Sequence, residues 1–490
     1  MNNKVTIIMT IAALTLSVGT ASANNIQITN VSLSAGGAGY VLVDLDVSWD
    51  NSWRAEWEQS GSWTNWDAAW VFVKFQNDGD ASYSHASLGT NDSDHVVPGG
   101  ATLDVGMTGT NGAGVFIYRS ATNTGSVDFD NVQLKWLHVQ DGVADTSTVN
   151  ISVHAIEMVY VPQGSFSAGD GTASSLTAQF EDGTSGSPLQ ITSEGSLTLG
   201  GPGPGSLGNN NRTGQIAPQD DFNDSVATKT LPAAFPKGYA AFYLMKYEIT
   251  QGQYAEFLNE LSSVQQTTRF PDQYGNNRHI ITTNASGYTA DEAPDRVCNW
   301  LSWGDGGAYS DWAGLRPFSE LEFEKACRGP LTAIANEYAW GDLTLTAQTG
   351  HSGVDGSGTE TATPAGANYN GSIGGPARAG IFATASSTRA EAGATYWGIM
   401  EMSASVRERP ISVGSVSGRD FEGTHGDGAL SGAGELTNSD WPAAADAGPG
   451  FRGGSSGATT QARVSDRNGI SRFFAQAFNS TGGRCARTAP

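Results

Sequence analysis

The stretch RPFSELEFEKACRG, at residues 316–329, contains a strong helix signal. Ser319 is followed three residues later by Glu322, the spacing at which a serine N-cap and a glutamate exchange hydrogen bonds with each other's backbone N–H groups. Further along, Phe323, Ala326 and Cys327 recur at helical spacing. The stretch therefore predicts a short amphipathic helix that begins after Ser319 and buries one face.

Two more helices are predicted before this stretch. Thr250 and Gln253 repeat the capping pattern. The apolar face that follows them consists of Tyr254, Phe257, Leu258 and Leu261. A third helix is predicted between the other two, through Ala308, Tyr309 and Trp312. Gly-rich loops and short strands follow residue 330, so this part of the chain is predicted to be α+β with much irregular structure.

The N-terminal part of the chain has the alternation of apolar and polar residues that is typical of strands. The apolar runs lie at residues 26–31, 41–49, 70–74, 115–117, 132–136 and 149–153, and turn residues separate them. Such short strands without helical periodicity predict a Greek-key β-sandwich over residues 24–156. Six of the 13 tryptophans lie between Trp49 and Trp70. They form either a platform for sugars or core and interface packing, and we favour packing because tryptophan buries a large area wherever it occurs.

Eight short motifs follow one another along the rest of the chain. The motifs are MVYVP (158–162), GSF (164–166), FYLMKYEIT (242–250), RPFSELEFEKACRG (316–329), YAWGD (338–342), GIMEM (398–402), FRGGS (451–455) and GRCAR (483–487). In this order they resemble the formylglycine-generating enzyme (sulfatase-modifying factor) family. The resemblance implies an irregular α+β fold related to C-type lectins over residues 157–490. It explains nothing before residue 157.

A Gly/Ser-rich insertion interrupts the second predicted domain at residues 167–231. Its run GGPGPG, at residues 200–205, is incompatible with a helix or a central strand. We therefore expect long surface loops in this segment.

The first 23 residues have the features of a bacterial export signal. Lys4 precedes an apolar run from Val5 to Val18, and Ala21-Ser22-Ala23 follows as a small-residue cleavage site. The apolar run is shorter than the ~20 residues that a membrane-spanning helix needs. We therefore expect a signal peptide over residues 1–23 and a secreted or cell-surface protein without a membrane span.

The charge of the chain excludes nucleic acid as a partner. The sequence has 26 basic and 49 acidic residues, a formal net charge of −23, and it lacks a basic stripe. Phosphate binding needs such a stripe.

The chain contains three cysteines, Cys298, Cys327 and Cys485. The family resemblance implies a disulfide between Cys327 and Cys485, which leaves Cys298 unpaired. The alternative is that Cys327 and Cys485 are two buried thiols.

The resemblance also implies an oxidase reaction whose metal ligands this chain lacks. Family enzymes oxidise a sulfatase cysteine to formylglycine with molecular oxygen and a copper ion held by two cysteines after the Gly-Gly-Ser motif. Here those positions fall near Ala458 and Arg463, and Cys485 is the only cysteine after residue 327. Because Cu(I) prefers soft thiolate ligands, we expect no copper site and no catalysis of this kind.

Two calcium sites are implied by the same resemblance. The ligands of the first map to the Glu401 and Glu408 carboxylates and the Ala404 and Val406 carbonyls, and those of the second include Asn368 and the Tyr369 carbonyl. Mixed carboxylate and carbonyl oxygens suit calcium. However, Arg407 and Arg409 stand where the family has tryptophans. They could pair with Glu401 or Glu408 and form a metal-free loop, so both alternatives stay open.

These observations predict an exported, non-catalytic relative of the family that assembles with itself into an extracellular surface structure or filament. Only 15% of its residues are charged and 63 are glycine, a composition that suits such a subunit. One alternative is a module that binds an extracellular glycan or protein on the lectin-like face. The candidate ligand-binding residues are Ser455, Arg463, Arg467, Asn468, Arg472 and Phe473. A second alternative, residual oxidase activity, is opposed by the missing cysteines.

Overall fold

The computed structural model describes residues 25–490 except 58–62, 172–175, 184, 210–219, 223–227, 365, 370, 385, 444–446, 458–460 and 471–475; the side chains of Trp57 and Trp63 are likewise not described. The predicted signal peptide, Ala458, Arg472 and Phe473 therefore lie outside the described residues. No helix among the described residues is both long enough and apolar enough to cross a membrane.

Eight strands form the N-terminal part, and six of them contain or overlap the apolar runs predicted to be strands. They are β1 (Gln27–Gly37), β2 (Tyr40–Trp57), β3 (Trp63–Asn77), β4 (Ser84–His85), β5 (Ala101–Thr108), β6 (Asn111–Arg119), β7 (Asn123–Trp136) and β8 (Val149–Val161). A short 3₁₀ helix, Asp92–Asp94, lies between β4 and β5. The pairings among these strands are antiparallel.

The central sheet continues from these strands into the motif-bearing part of the chain. Its main path runs β1-β2-β3-β8-β15-β20, where β15 is Phe242–Met245 and β20 is Ala486–Thr488. β7 pairs with β2, and β6 pairs with β3 and β5, so that ten strands are connected. The predicted boundary after residue 156 falls inside β8. The β-sandwich and the division into two domains stay predictions.

The two faces of β3 belong to different cores, because successive side chains of a strand point to opposite faces. Ala69, Val71 and Val73 pack in a cluster with residues of β2 and β7. Trp70 and Phe72 pack in a second cluster that contains residues of two helices from the motif-bearing part. The N-terminal strands therefore supply part of the core around those helices.

The five helices of the described residues are α1 (Gln251–Asn259), α2 (Ser263–Arg269), α3 (Trp303–Trp312), α4 (Glu320–Arg328) and α5 (Val416–Arg419). The capping boxes predicted at Thr250 and Ser319 are both present. The three predicted helices are therefore confirmed as α1, α3 and α4. Helix α2 was not predicted, because it has no apolar face, although Ser262 and Gln265 form another capping box.

The insertion contains short strands whose apolar residues share a core with the rest of the motif-bearing part. These strands are β9 (Phe166–Ala168), β10 (Phe180–Asp182), β11 (Leu189–Ile191), β12 (Leu197–Leu199), β13 (Leu207–Asn209) and β14 (Lys229–Leu231). Phe180, Leu199 and Leu207 are fully buried and pack with Leu321 of α4. The prediction of long surface loops is therefore wrong for these residues. The strands were missed because a strand of three residues is too short to show apolar alternation in the sequence. The predicted break at residues 200–205 does lie between β12 and β13.

Two hairpins complete the strands of the described residues. They are β16 (Thr282–Asn284) with β17 (Gly287–Thr289), and β18 (Gly350–Ser352) with β19 (Thr361–Thr363).

The three cysteines are buried free thiols. Cys485 packs with Tyr243 on one face of the central sheet, whereas Cys327 packs with Leu244 and Ala486 on the other face. The sheet separates the two sulfur atoms, since Cys485 and its neighbour Ala486 point to opposite sides. The structure therefore contradicts the predicted Cys327–Cys485 disulfide, and the alternative of buried thiols is the one observed.

Candidate functional site

The loop at residues 398–409, predicted to bind calcium, contains a buried ion pair. Nε of Arg484 donates to Oε2 of Glu408 at 2.8 Å, and Nη2 of Arg484 lies 2.8 Å from Oε1. Arg407 donates to Oγ of Ser480, and Arg409 donates to the Gln476 carbonyl. One of the two alternatives predicted a salt bridge in this loop, and a salt bridge is present. Its arginine, however, is Arg484 of the GRCAR motif and not Arg407 or Arg409.

Glu401 and Glu248 are two further buried carboxylates in this region. Oε1 of Glu401 accepts a hydrogen bond from the Gly380 N–H, and Oε1 of Glu248 accepts one from the Val406 N–H. Oε2 of each is buried without a hydrogen-bond partner among the described residues. Burial raises the pKa of Glu401 to about 7 and also raises the pKa of Glu248. Glu248 was not predicted as a site residue, although it lies within the FYLMKYEIT motif.

The second predicted calcium segment contacts the first. The Asn368 carbonyl accepts a hydrogen bond from the Ser405 N–H at 3.1 Å, and the Asn368 side chain donates to the Gly375 carbonyl at 3.0 Å. Tyr369 is half-buried beside it, and Ala404 and Val406 are buried.

One of the predicted calcium ligands already has a positively charged partner, because Arg484 pairs with Glu408. Calcium binding by the predicted residues stays a prediction.

His351, Asp355 and Glu360 bring three possible ligand atoms within 4.8 Å of one another. Asp355 accepts hydrogen bonds from Arg278 and Arg296, and Glu360 accepts one from Arg278. Because arginines already neutralise both carboxylates, this group gives no support for a metal ion.

Part of the predicted ligand-binding face is structural. Arg467 is fully buried, and it donates to Glu320 and to Asp220, each at 2.8 Å. Ser455 is also fully buried. These two residues are inaccessible to a ligand, so this part of the prediction is wrong. A charged residue in a Gly-rich segment suggests a solvated loop, and its distant acidic partners were not visible in the sequence.

Arg463 and Asn468 are less buried. The Arg463 guanidinium lies 3.9 Å above the ring centre of Tyr338, and the Asn468 N–H donates to Asp466 at 2.8 Å. Their predicted role in ligand binding stays a prediction.

A cavity of about 400 Å³ lies on the face of the central sheet that Trp66 shares with Tyr243, and we call it the aromatic cavity. Its lining residues are Trp66, Asp104, Tyr118, Tyr160, Gln163, Ala240, Ala241, Tyr243, Thr488, Ala489 and Pro490. Gln163, Thr488 and Pro490 are exposed, so the cavity is open to solvent. Its volume lies within the range of small-molecule sites.

The register of the sheet brings the aromatic rings together. Tyr160 of β8 and Tyr243 of β15 are directly paired. The Trp66 ring stacks on Tyr160, with 3.8 Å between ring centres and an angle of 9° between planes. Nε1 of Trp66 donates to the Tyr243 hydroxyl at 3.0 Å. These contacts fix the rings, which is the property that a preformed binding site needs.

Polar groups are fixed in the same cavity. The Tyr118 hydroxyl donates to Oδ2 of Asp104 at 2.7 Å, and both residues line the cavity. The Arg54 guanidinium is not part of the lining, but it lies 4.8 Å from the ring centre of Trp66, which is. Burial, together with the Asp104 carboxylate, raises the pKa of Tyr118, so its hydroxyl stays protonated at neutral pH. Burial also raises the pKa of Asp104. Arg54 and Asp104 have opposite charges, which favours a neutral polar ligand over a strongly charged one.

The tryptophan cluster was a partial signal for this cavity. Trp66 lines it, whereas Trp49 and Trp70 are buried in the cores, as the packing alternative predicted. Tyr118, Tyr160 and Tyr243 could not be assigned from the sequence, because only the strand register brings them to one face.

Comparison with known proteins gives two matches. The family model for the sulfatase-modifying factor enzyme 1-like domain matches residues 202–489, which is more than half of the chain. Hercynine oxygenase from Mycolicibacterium thermoresistibile is 36% identical over 75 residues, which are 15% of this chain and 17% of that enzyme. The chain thus spans about one sixth of the length of this relative. Trp66, Asp104, Tyr118 and Tyr160 of the aromatic cavity precede the region matched by the family model.

Proposed function

Because the chain belongs to the sulfatase-modifying factor family, we propose that it uses the family fold as a scaffold for binding a carbohydrate. The aromatic cavity carries this proposal. It combines fixed rings with fixed hydrogen-bonding groups, and it lies where the N-terminal strands meet strands β15 and β20.

A carbohydrate matches the chemistry of this lining. Sugars have apolar C–H faces that pack on aromatic side chains, and they have hydroxyl groups that need hydrogen-bond partners. Tyr118, Asp104, Gln163 and Thr488 supply donors and acceptors around the rings. The cavity volume of about 400 Å³ supports a ligand of one or two sugar rings.

A non-catalytic role is part of the proposal. Copper would require two thiolates around one ion. Cys327 lies on the opposite face of the sheet from Cys485, and burial raises the pKa of all three thiols, including Cys298, which disfavours the thiolate form; for Cys485 the pKa is about 12. The similarity to hercynine oxygenase covers too little of that enzyme to transfer its activity.

Export and self-assembly also stay proposals. The apolar N-terminal segment supports export, and the low charge density with many glycines supports an extracellular subunit. Binding has the more specific support, because it rests on a cavity with named groups.

The test is a titration of the purified protein with neutral cello-, chito-, manno- and xylo-oligosaccharides, followed by tryptophan fluorescence and calorimetry. We expect saturable binding of at least one series. Trp66→Ala and the cavity-filling variant Thr488→Trp should each weaken it at least tenfold. Tyr274 is 54% exposed and does not line the cavity, so Tyr274→Ala is the matched control.

Three results would contradict the proposal. The first is the absence of binding across the panel, and the second is binding that Trp66→Ala and Thr488→Trp leave unchanged. The third is conversion of a sulfatase-derived cysteine peptide to formylglycine by the purified protein loaded with copper.

A further inference from the structure

Lys246, Asp67 and Glu157 form a buried triad on two strands and at the end of a third. Asp67 lies on β3, Glu157 lies on β8, and Lys246 directly follows β15. The Lys246 N–H donates to the Glu157 carbonyl, and Ala69 of β3 pairs with Glu157. The triad is on the face opposite the aromatic cavity, since Asp67 and Trp66 are neighbours on one strand. The three residues are 2%, 0% and 5% exposed, respectively, so the triad is almost dry.

The reactive atoms of the triad are close together. Nζ of Lys246 lies 2.5 Å from Oε1 of Glu157 and 3.5 Å from Oδ2 of Asp67. The Trp53 ring covers the amine, with 4.4 Å between Nζ and the ring centre. One amine thus stands between two carboxyl groups beneath an aromatic ring.

Three hydrogen bonds hold the Asp67 carboxyl in place. Oδ1 accepts from the Ser52 hydroxyl at 2.8 Å and from the Trp53 N–H at 3.0 Å, and Oδ2 accepts from Nε1 of Trp49 at 3.0 Å. Two fixed donors on one carboxyl oxygen stabilise the negative charge that develops there when a nucleophile attacks the carbon. A simple salt bridge would not need these donors, whereas nucleophilic attack on the Asp67 carboxyl would use them.

We propose that Lys246 and Asp67 become joined by an intramolecular isopeptide bond, with Glu157 as the proton carrier. The neutral amine of Lys246 attacks Cγ of protonated Asp67, and an N–C bond forms. Glu157 accepts a proton from the nitrogen and delivers a proton to the departing Oδ2. The Cγ–Oδ2 bond breaks, and one water molecule leaves. No oxidant or other reactant is needed.

The dry surroundings favour the product of the reaction. The amide then replaces two buried charges that would otherwise have to stay desolvated. The bond would connect β3 covalently to the chain after β15, across the predicted boundary between the two domains.

The test is mass spectrometry of tryptic peptides from the folded, full-length protein. Trypsin cleaves after Arg54, Lys74, Lys237 and Arg269, and it does not cleave after an amide-linked lysine. We expect a linked species that joins residues 55–74 to residues 238–269 and lacks the mass of one water molecule. Recovery of 55–74 and 238–246 as separate peptides from folded protein would overturn the proposal.

Variants test whether the bond needs Glu157 or forms wherever a lysine and a carboxylate are close together. Glu157→Gln keeps both linked residues and should lack the linked species, with circular dichroism confirming the fold. Lys246→Arg should lack it as well. Lys135 and Asp94 form a matched control pair, because their N–O distance is 2.7 Å but their side chains are 25% and 20% exposed. They should stay unlinked, and efficient linkage in Glu157→Gln would overturn the role of Glu157.

Discussion

At the scale of single residues, buried arginines connect distant parts of the chain. Arg328 of α4 donates to Asp170 in the insertion at 2.8 Å, and Arg467 connects Asp220 to Glu320. A buried guanidinium is tolerated only where carboxylates compensate for its lost hydration. These arginines therefore fix the insertion against the α4 helix.

His154 gives a prediction about pH. It lies 2.7 Å from Glu260, and although burial alone would lower its pKa, the Glu260 and Glu256 carboxylates raise it to about 9 from 6.5. Because folding raises the pKa of His154, its protonation stabilises the fold fully below about pH 6.5, and this contribution is lost as the pH rises through about 9. We expect the free energy of unfolding to fall across this window and to fall less in His154→Gln.

Chemical denaturation at a series of pH values measures this effect. His351→Gln is the control, because His351 is exposed and belongs to a different part of the chain. An equal slope in wild type and His154→Gln would show that His154 does not carry the dependence.

At the scale of elements, the N-caps of α1 and α4 are local interactions, each within one helical turn. Thr250 accepts a hydrogen bond from the Gln253 N–H, and Ser319 accepts one from the Glu322 N–H. Ser319 is also fully buried, and its hydroxyl donates to the Pro236 carbonyl at 2.6 Å. The second cap therefore has a tertiary role that the first lacks.

This difference predicts unequal effects of removing the two caps. We expect Thr250→Ala to lower the free energy of unfolding by about 1 kcal/mol, the usual value for an N-cap. Ser319→Ala should cost about 1 kcal/mol more, since the Pro236 carbonyl also loses its donor. Urea unfolding measures both variants, with Ser263→Ala on the exposed side of α2 as control. Equal losses would show that the bond to Pro236 contributes little.

Features that depend on local interactions could be predicted from the sequence, whereas features that depend on distant residues could not. The caps of α1 and α4 and the apolar alternation of β2 and β8 are written within a few residues, so these elements were predictable. Pairings such as Arg484 with Glu408, or Tyr160 with Tyr243, join residues 76 and 83 positions apart. The calcium loop, the ligand-binding face and the disulfide were predicted from the family resemblance. That resemblance does not include the distant residues that contact these positions in this chain.

At the scale of the whole molecule, the central sheet belongs to both predicted domains. β8 pairs with β3 on one side and with β15 on the other, and it extends from Val149 to Val161. Trp70 and Phe72 of β3 pack in the same cluster as Phe257 of α1 and Trp312 of α3. A cut at residue 156 would divide one strand and expose this shared core.

We therefore expect that residues 24–156 and 157–490, produced separately, do not fold stably, as near-ultraviolet circular dichroism and thermal unfolding would report. The control is the full chain cleaved at a protease site inserted after the exposed Val354, which should keep its fold. Two cooperatively folded fragments would instead establish two independent domains.

The central sheet also has a kinetic consequence. β15 pairs with β8 and with β20, and the Arg484 side chain binds the Met245 carbonyl across 239 positions of sequence. Contacts of such separation form slowly, because a long loop must close before they contribute. Until then, the edges of β8 and β15 are open to pairing with another chain. Refolding should therefore lose yield to aggregation as the protein concentration rises.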